Sequence, residues 1–449
     1  MGNACCSGGK AKATKSRRNS SSREFHTHKE SLRYHTAHSF EDDYILENDG
    51  NEVLGSGYNG LVKVCVSKVT QERCAVKAFT KQSASASAPD AESTRQQMIQ
   101  NECEIYLSMD HPNIARLMDV YEDQFSIFFV MELCSGGELY ARLIAQKQYT
   151  ESMAQAAVKQ MLLATNYLHH HDIVHRDLKL ENFLYWNEES DVLKMIDFGF
   201  SHILEGQTKP IAAACGSISY MAPEVVSQKQ ELITPKVDMW SLGVITFMLL
   251  AGYPPFSGNE SEIMERIQAA NYYMLPERWY NVSAKGRDFV EKLLVASHSR
   301  RMSADEALHH PWVTEAIAPR SSAKSVNEEW GTEVLKGIRG FAAASHFKRA
   351  CLSMMAWGLA PQERAQVRDL FYMMDKEGEG YVTLEVFKDA LQEHYPHQVA
   401  SEEIIRLFNA MDTNHEDKIY YSDFLGTFST CIHPLGRAST CLYPLSRLP

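Results

Sequence analysis

The run VHRDLKLEN, Val174 to Asn182, is followed by IDFG, which puts Asp197 fifteen residues beyond Asn182. Asp177 can orient and deprotonate a hydroxyl nucleophile, and Lys179 can neutralise the charge of a migrating phosphoryl group. Asn182 and Asp197 offer hard oxygens of the kind Mg2+ takes. Upstream, CAVKAF carries Lys77 in a strand-like run, and QNECEIYLSM carries Glu102 on a helix pattern, where it can pair with Lys77. Glu104 is the competitor, but two residues along a helix turn it about 200° away. A tethered lysine holds two phosphates in register, whereas a lone one would wander. Phosphoryl transfer asks for little beyond positioning and electrostatics, and this set supplies both.

Those side chains need a frame. NEVLGSGYNGLVKVCV reads as strand, turn, strand, with Gly55, Gly57 and Gly60 in G-x-G-x-x-G spacing. A dinucleotide-binding turn would open a helix here, but LVKVCV continues as β-branched strand. Leu54, Gly55, Ser56, Gly57, Tyr58, Asn59, Gly60, Leu61 and Val62 therefore form a flap that lays backbone N–H groups over phosphates. Glycine is needed there because a Cβ would block the approach.

Together these motifs make Tyr44 to Trp312 resemble the protein kinase domain. MAPE (Met221 to Glu224) resembles the close of the activation segment, VDMWSLG resembles the helix with a buried Asp238, and Arg301 resembles the partner of Glu224. The resemblance implies an α+β bilobal fold, with a small β-rich N-lobe and a large helical C-lobe. It also implies ATP and Mg2+ as cofactors, Met131 as gatekeeper and Glu132 to Cys134 as hinge. Ala75 and Leu184 would sandwich the adenine. Lys179 and GSISY imply Ser/Thr specificity, and Glu138 and Glu181 imply substrates with a basic residue near the phosphorylated Ser/Thr. The sequence departs from the pattern at Leu180, where Pro is commoner, and at Asn59, where the flap tip is usually aromatic. Thr208 is the lone Thr between Phe200 and Ser217, so phosphorylation of that segment is not expected to be the main switch.

The chain has 449 residues, 44% hydrophobic and 23% charged, and a net charge of −12. Residues 1–40 hold eight Lys/Arg against Glu24 and Glu30, a net of +6, which leaves −18 for the body. That disfavours a nucleic-acid-binding body and marks a basic, Ser-rich arm expected to be disordered. The opening MGNACCS offers Gly2 for myristoylation and Cys5 and Cys6 for palmitoylation, with Cys6 where Ser or Thr is usual. One acyl chain binds membranes only marginally, so the cysteines and the basic arm supply the second signal. The longest clean apolar run, Val244 to Ala251, is too short to span a bilayer. Peripheral membrane attachment of a cytoplasmic protein with reduced thiols, acting as a monomer, is the expectation.

After Trp312 comes a linker, then GTEVLKGIRGFAAASHFKRACLSMMAWGL, which reads as a basic amphipathic helix. Val334, Ile338, Phe341, Leu352 and Leu359 share its apolar face. The reading is an autoinhibitory helix lying on the kinase, with Lys348 or Arg349 reaching acids such as Glu138. Two helix–loop–helix units follow. DKEGEGYVTLEV, Asp375 to Val386, has the calcium-loop pattern except at its twelfth position, where Val386 replaces the bidentate Glu. The second loop places Asp412, Asn414, Glu416, Lys418 and Asp423 as ligands. Asp423 is one methylene short, and Asp417 replaces the Gly of the sharp turn at a cost of about 1–2 kcal/mol.

Kinase, junction helix and EF-hands together resemble the calcium-dependent protein kinase family over about Tyr44 to Phe428. The family usually has four EF-hands. Expected boundaries are 1–43 for the arm, 44–312 for the kinase, 313–360 for the linker and junction helix, 361–428 for an all-α pair of altered EF-hands, and 429–449 for an irregular tail. The functional expectation is a Ser/Thr kinase that binds calcium weakly at most. The rivals are a pseudokinase scaffold, which the intact Lys77, Glu102, Asp177, Asn182 and Asp197 oppose, a calcium-independent kinase regulated by other partners, and a true calcium switch.

Overall fold

The computed structural model describes residues 31–50, 53–57, 60–81, 89–147, 149–204, 217–227, 234–315, 328–356, 361–395 and 398–432. Gly2, Cys5, Cys6, Tyr58, Asn59, Thr208 and Leu359 lie outside them.

The N-lobe is a seven-stranded sheet built from β1 (Tyr34–His35), β2 (Tyr44–Leu46), β3 (Val53–Gly57), β4 (Gly60–Ser67), β5 (Arg73–Thr80), β6 (Leu117–Glu122) and β7 (Ser126–Glu132). Its order is β1-β6-β7-β5-β4-β2, with β3 paired to β4. Valine, cysteine and phenylalanine dominate β4, β5 and β7, as suits strands covered on one face. The antiparallel register sets Val62 opposite Lys77 and Ala75 opposite Met131. A 20-residue helix, α2 (Pro89–Ser108), carries Glu102.

The folded N-lobe starts earlier than the expected Tyr44. β1 pairs in parallel with β6, and Arg33 donates to the carbonyls of Leu117 at 2.8 Å and Leu107 at 2.5 Å. The short helix α1 (Phe40–Asp43) buries Phe40 against Tyr44, Tyr121 and Phe128. Sequence reading assigned this stretch to the arm by its charge. Its apolar and aromatic residues instead complete a small core of their own.

The C-lobe runs through α3 (Leu139–Gln146), α4 (Glu151–His170), β8 (Ile173–Val174), β9 (Phe183–Tyr185), β10 (Leu193–Met195), β11 (His202–Ile203) and α5 (Pro223–Val226). It continues with α6 (Lys236–Ala251), α7 (Glu260–Gln268), α8 (Pro276–Trp279), α9 (Ala284–Leu293), α10 (Ala304–Leu308) and α11 (Pro311–Thr314). Helix α6 is apolar all round and buried almost throughout, as a core helix must be. Gly252, at φ 75°, ends it in the left-handed conformation that glycine adopts without strain. The main core is continuous from β5 to α11.

The tail comprises α12 (Glu328–Ala343), α13 (His346–Met355), α14 (Pro361–Met374), β12 (Tyr381–Thr383), α15 (Leu384–His394), α16 (Ser401–Met411), β13 (Lys418–Tyr420) and α17 (Tyr421–Ile432). Strands β12 and β13 pair antiparallel with Val382 opposite Ile419, which joins the two loops into one unit. The expected single junction helix is two helices. Ser345 caps α13 by accepting from the Lys348 amide, and the chain breaks before it.

The apolar stripe of α12 does not lie on the kinase. Val334, Leu335, Ile338 and Phe341 are buried in the second core with Phe371, Leu407, Phe424 and Phe428. Each such burial is worth about 2 kcal/mol, which a polar kinase surface could not match. Arg349 Nη1 donates to the Ala410 carbonyl at 2.9 Å, so it is engaged within the tail rather than reaching Glu138.

Candidate active site and the two altered cation loops

Lys77 Nζ donates to Glu102 Oε1 at 2.7 Å and to Asp197 Oδ1 at 3.0 Å. Lys77 and Glu102 are both buried. Burial opposes the lysine's charge, but Glu102 and Asp197 outweigh it and hold the amine above its ordinary range. Burial likewise pushes Asp197 up, yet Lys77 pulls it below the usual carboxylate range. Asp197 stays ionised and faces the cleft with its φ at 63°. That left-handed backbone is a strain of the sort functional sites hold in place through their surroundings. Here the surroundings are Tyr106, whose hydroxyl accepts from the Asp197 amide at 3.0 Å, and the Tyr106–Phe198–His175 ring stack.

The loop of Asp177 is pinned from beneath. Asp238 Oδ2 accepts from the His175 amide at 2.9 Å and Oδ1 from the Arg176 amide at 2.9 Å. Burial would raise the Asp238 pKa, but the hydrogen bond from His169 and the nearby amides hold it below the ordinary value. Asp177 is buried; its Oδ2 accepts from Lys179 Nζ at 2.7 Å and its Oδ1 from the Ser217 amide at 3.0 Å. Asn182 Nδ2 donates to the Asp177 carbonyl at 2.8 Å, which leaves its side-chain oxygen for a cation. Asn182 and Asp197 flank the paired strands β9 and β10, where the Ile196 amide donates to the Asn182 carbonyl at 2.9 Å, and their hard side-chain oxygens fit Mg2+.

Above them, Leu54 and Leu61 are about half exposed on the flap, as residues meant to cover a ligand would be. A Cβ on Gly60 would stand 2.5 Å from the Ala78 carbonyl oxygen, so only glycine lets β4 approach β5 there. Gly55 meets no such obstacle, and its neighbour Ser56 joins it in β3 with Gly57. Ala75 lies on β5, Met131 and Glu132 end β7, Cys134 follows two residues later, and Leu184 lies on β9. Glu138 is exposed at the start of α3 and forms an isolated bridge with Leu184, while Glu181 Oε2 is buried without a hydrogen-bond partner. Arg301 grips Glu224 with two parallel bonds of 2.7 and 2.9 Å, as their motifs implied.

Sequence reasoning missed buried Asn113, which bonds to Gln160 and the Leu193 carbonyl, and buried Lys194, which pairs with the Glu132 side chain. The dipeptide Pro112–Asn113 after α2 was the available signal for Asn113, a turn with no motif attached, and Lys194 had none.

The cation loops differ from the cleft. In the first, Asp375 accepts from the amides of Glu379 at 2.9 Å and Gly380 at 2.8 Å. The acids at positions 3 and 5 turn away from it. Glu377 faces His309 at 3.6 Å and Glu379 faces His170 at 3.9 Å, both on the kinase. Val386 is partly exposed and supplies no oxygen. These residues do not fit a calcium ion. In the second loop, Asp412 accepts from the amides of Glu416 and Asp417 at 3.1 and 3.0 Å. Asp423 accepts from the Thr413 hydroxyl at 2.5 Å and the Tyr420 amide at 3.0 Å, and Glu416 from the Tyr420 hydroxyl at 2.7 Å. Asp417 sits at φ 58°, the strained conformation expected where Gly is missing. The closing carboxylate, Asp423, is thus occupied within the loop.

Residues 49–313 match the family model of the protein kinase domain, and residues 364–429 match that of an EF-hand domain pair. The chain is 33% identical over 390 residues to calcium-dependent protein kinase 3 of Oryza sativa subsp. japonica, covering 86% of this chain and 67% of that one. It is 34% identical over 389 residues to calcium-dependent protein kinase 8 of Arabidopsis thaliana, covering 85% and 69%. The chain belongs to the calcium-dependent protein kinase family. Similarity extends to calcium-dependent protein kinase 3 of Plasmodium berghei (strain Anka), at 28% over 389 residues, covering 86% and 66%. This family member is a serine/threonine protein kinase with a kinase domain of two lobes followed by an EF-hand region. Its substrates are proteins and its phosphate donor is ATP with Mg2+. Among the described residues, no helix is long and apolar enough to cross a membrane.

Proposed function

We propose that the chain transfers the ATP γ-phosphate to Ser/Thr of proteins carrying a nearby basic residue, and that it does so without a calcium trigger. The observation that carries the first half is the buried contact of Lys77 with both Glu102 and Asp197. A scaffold that only bound partners would have no use for a paired lysine kept charged at such depth.

In this reading Lys77 holds the α and β phosphates, and the flap's backbone covers them. Asn182 and Asp197 would hold Mg2+, which supplies charge neutralisation for the phosphate oxygens when bound. Asp177 aligns the substrate hydroxyl and accepts its proton, and Lys179, hydrogen-bonded to Asp177, faces the charge that develops on transfer. Glu138 and Glu181 receive the substrate's cation, which the unpartnered Glu181 Oε2 supports. Gly2, Cys5 and Cys6, with the basic arm, attach the kinase to a membrane.

Calcium independence rests on the loops. The first has no closing ligand, and the second takes Mg2+ or weak calcium through Asp412, Asn414, Glu416, Lys418 and Asp423. The test is phosphorylation of a basic Ser peptide by the full chain, first in chelator and then in ~10 µM free calcium, within the sensor range. Rates equal within twofold support the reading. A steep calcium response overturns the calcium half, and nucleotide binding without transfer overturns the kinase half in favour of the scaffold.

A further inference from the structure

Helix α14 turns Arg364 and Tyr372, eight residues apart and so on one face, toward the back of the kinase. The Arg364 guanidinium lies 4.2 Å from the centroid of the Trp186 ring, and its Nη1 is 3.6 Å from Glu132 Oε1. Glu132 is the hinge acid. Its other oxygen meets Lys194 Nζ at 3.0 Å, and Lys194 stands on β10, three residues before Asp197. Burial would raise the Glu132 pKa, but Lys194 and Arg364 together hold the carboxylate below its usual range.

Two turns of α14 further on, the Tyr372 hydroxyl donates to Asn113 Oδ1. Asn113 is buried, and its Nδ2 donates to Gln160 Oε1 at 3.0 Å and to the Leu193 carbonyl at 2.7 Å. Its own carbonyl accepts from the Met195 amide at 2.7 Å, and the Met195 carbonyl accepts from the Ala115 amide at 2.9 Å. Asn113 thus ties the loop after the Glu102 helix to the strand that leads into Asp197. Tyr372 satisfies the side-chain oxygen that would otherwise be stranded in the interior.

The first cation loop extends the same contact. Asn166 Nδ2 donates to the carbonyls of Glu377 and Gly378, at 3.1 Å each, and the Ser422 amide donates to Asp110 Oδ2 at 3.2 Å. A Cβ on Gly380 would stand 2.1 Å from the Tyr167 ring, so the loop seats only because that position is glycine. These hydrogen bonds use backbone groups of the tail, while the Glu377 and Glu379 carboxylates, at calcium-ligand positions, face His309 and His170.

We infer that the EF-hand pair is a standing part of the catalytic scaffold, with Arg364 and Tyr372 as positioning residues that fix the hinge and β10 for phosphoryl transfer, independent of calcium. The inference rests on the kinase reading above. Removing the Tyr372 hydroxyl leaves a buried acceptor unpaired, and removing Arg364 takes from a buried carboxylate one of its two cations. Either change loosens the strand that leads into Asp197 and the hinge that seats the nucleotide.

The test uses the full chain with Tyr372→Phe, Arg364→Met and the conservative Arg364→Lys, in chelator and in calcium. The expected result for the first two is a fall of about tenfold in kcat/KM for ATP, with the peptide KM unchanged within twofold. Hydrogen exchange at the amides of Ala115 and Met195 should quicken by about tenfold, equally with and without calcium. Arg364→Lys should recover most of the ATP kinetics. Unchanged kinetics and unchanged exchange in both variants overturn the inference, as does an effect confined to calcium. Faster exchange with unchanged kinetics leaves a docked tail but removes the positioning role. Should the unaltered chain transfer no phosphate, the kinase reading fails, and the exchange arm still decides whether the tail braces β10.

Discussion

The catalytic cleft and the EF-hand loops both bury carboxylates, and Asp197 and Asp238 of the first are treated oppositely to Asp375 and Asp423 of the second, while burial raises Glu102 beside Lys77 as it does the tail pair. Asp197 and Asp238 are driven up by burial and pulled back below their usual range by Lys77 and His169. In the tail, burial raises Asp375 to about 6 and Asp423 to about 7, because amides and a hydroxyl do not offset it. The partners differ: the Lys77 amine beside Asp197 and the His169 ring beside Asp238, against backbone amides and a hydroxyl in the tail. One region carries its counter-charges in its own sequence, so its geometry is complete before any ligand arrives. The other depends on an ion whose ligands have been altered or turned elsewhere.

The largest effect that tests this contrast is on catalysis. Asp177→Asn should lower kcat by about a thousandfold, while Asp423→Asn should change it by less than about twofold, both read by peptide phosphorylation. A large loss from the tail substitution would erase the contrast. Stability gives the next effect. Glu224→Gln leaves Arg301 buried without its carboxylate and should cost about 3–5 kcal/mol in denaturant unfolding. Arg339→Ala breaks the more exposed pair with Glu403 in the tail and should cost at most about 1 kcal/mol.

Calcium titration calorimetry provides a third comparison. Val386→Glu should restore no binding at ~10 µM calcium, because Glu377 and Glu379 still face the kinase histidines. Asp423→Glu should tighten the second loop by about tenfold, since the longer side chain can close on two oxygens. If Val386→Glu alone bound calcium tightly, the first loop would be an interrupted sensor rather than a docking element.

The smallest effect is one of pH. The Asp305 carbonyl, the Asp305 carboxylate and Glu377 raise the His309 pKa above its usual value. Its protonated form is therefore favoured in the folded chain. The stabilisation is complete below the unfolded pKa near 6.5 and fades as pH rises through the folded value. His309 is exposed, so solvent screens the pair, and the melting temperature should fall by no more than about 1–2 °C between pH 6 and pH 8. His309→Gln should abolish that slope.

Much of the cleft was legible because its chemistry fixes residue types at short spacings. Asp177, Lys179 and Asn182 lie within one loop, and the Lys77–Glu102 pairing follows from a strand and a helix whose periods are plain. The second cation loop was legible for the same reason, down to the strained backbone at Asp417. What the sequence concealed were contacts between distant segments. Nothing near Tyr34 or Phe40 shows that β6 lies beside them, so a charge count assigned them to the arm. The amphipathic stripe of α12 was plain, but a stripe does not name its partner. It fits the EF-hand core as well as any kinase surface, and the apolar core is the drier of the two. Arg364 and Tyr372 carry no motif, because their significance comes from Glu132 and Asn113 more than 200 residues away.

The burial of α12 in the EF-hand core has a further consequence, for competition. Val334, Leu335, Ile338 and Phe341 occupy the cleft that such a pair would otherwise present to a target helix. Because α12 is joined to that pair by a short covalent path, its effective concentration there is on the order of millimolar. An outside helix that binds a free EF-hand pair with a dissociation constant of ~1 µM would meet a resident that never diffuses away. Tethering thus closes the tail to passing partners, a form of selectivity that requires no repulsive residue at all.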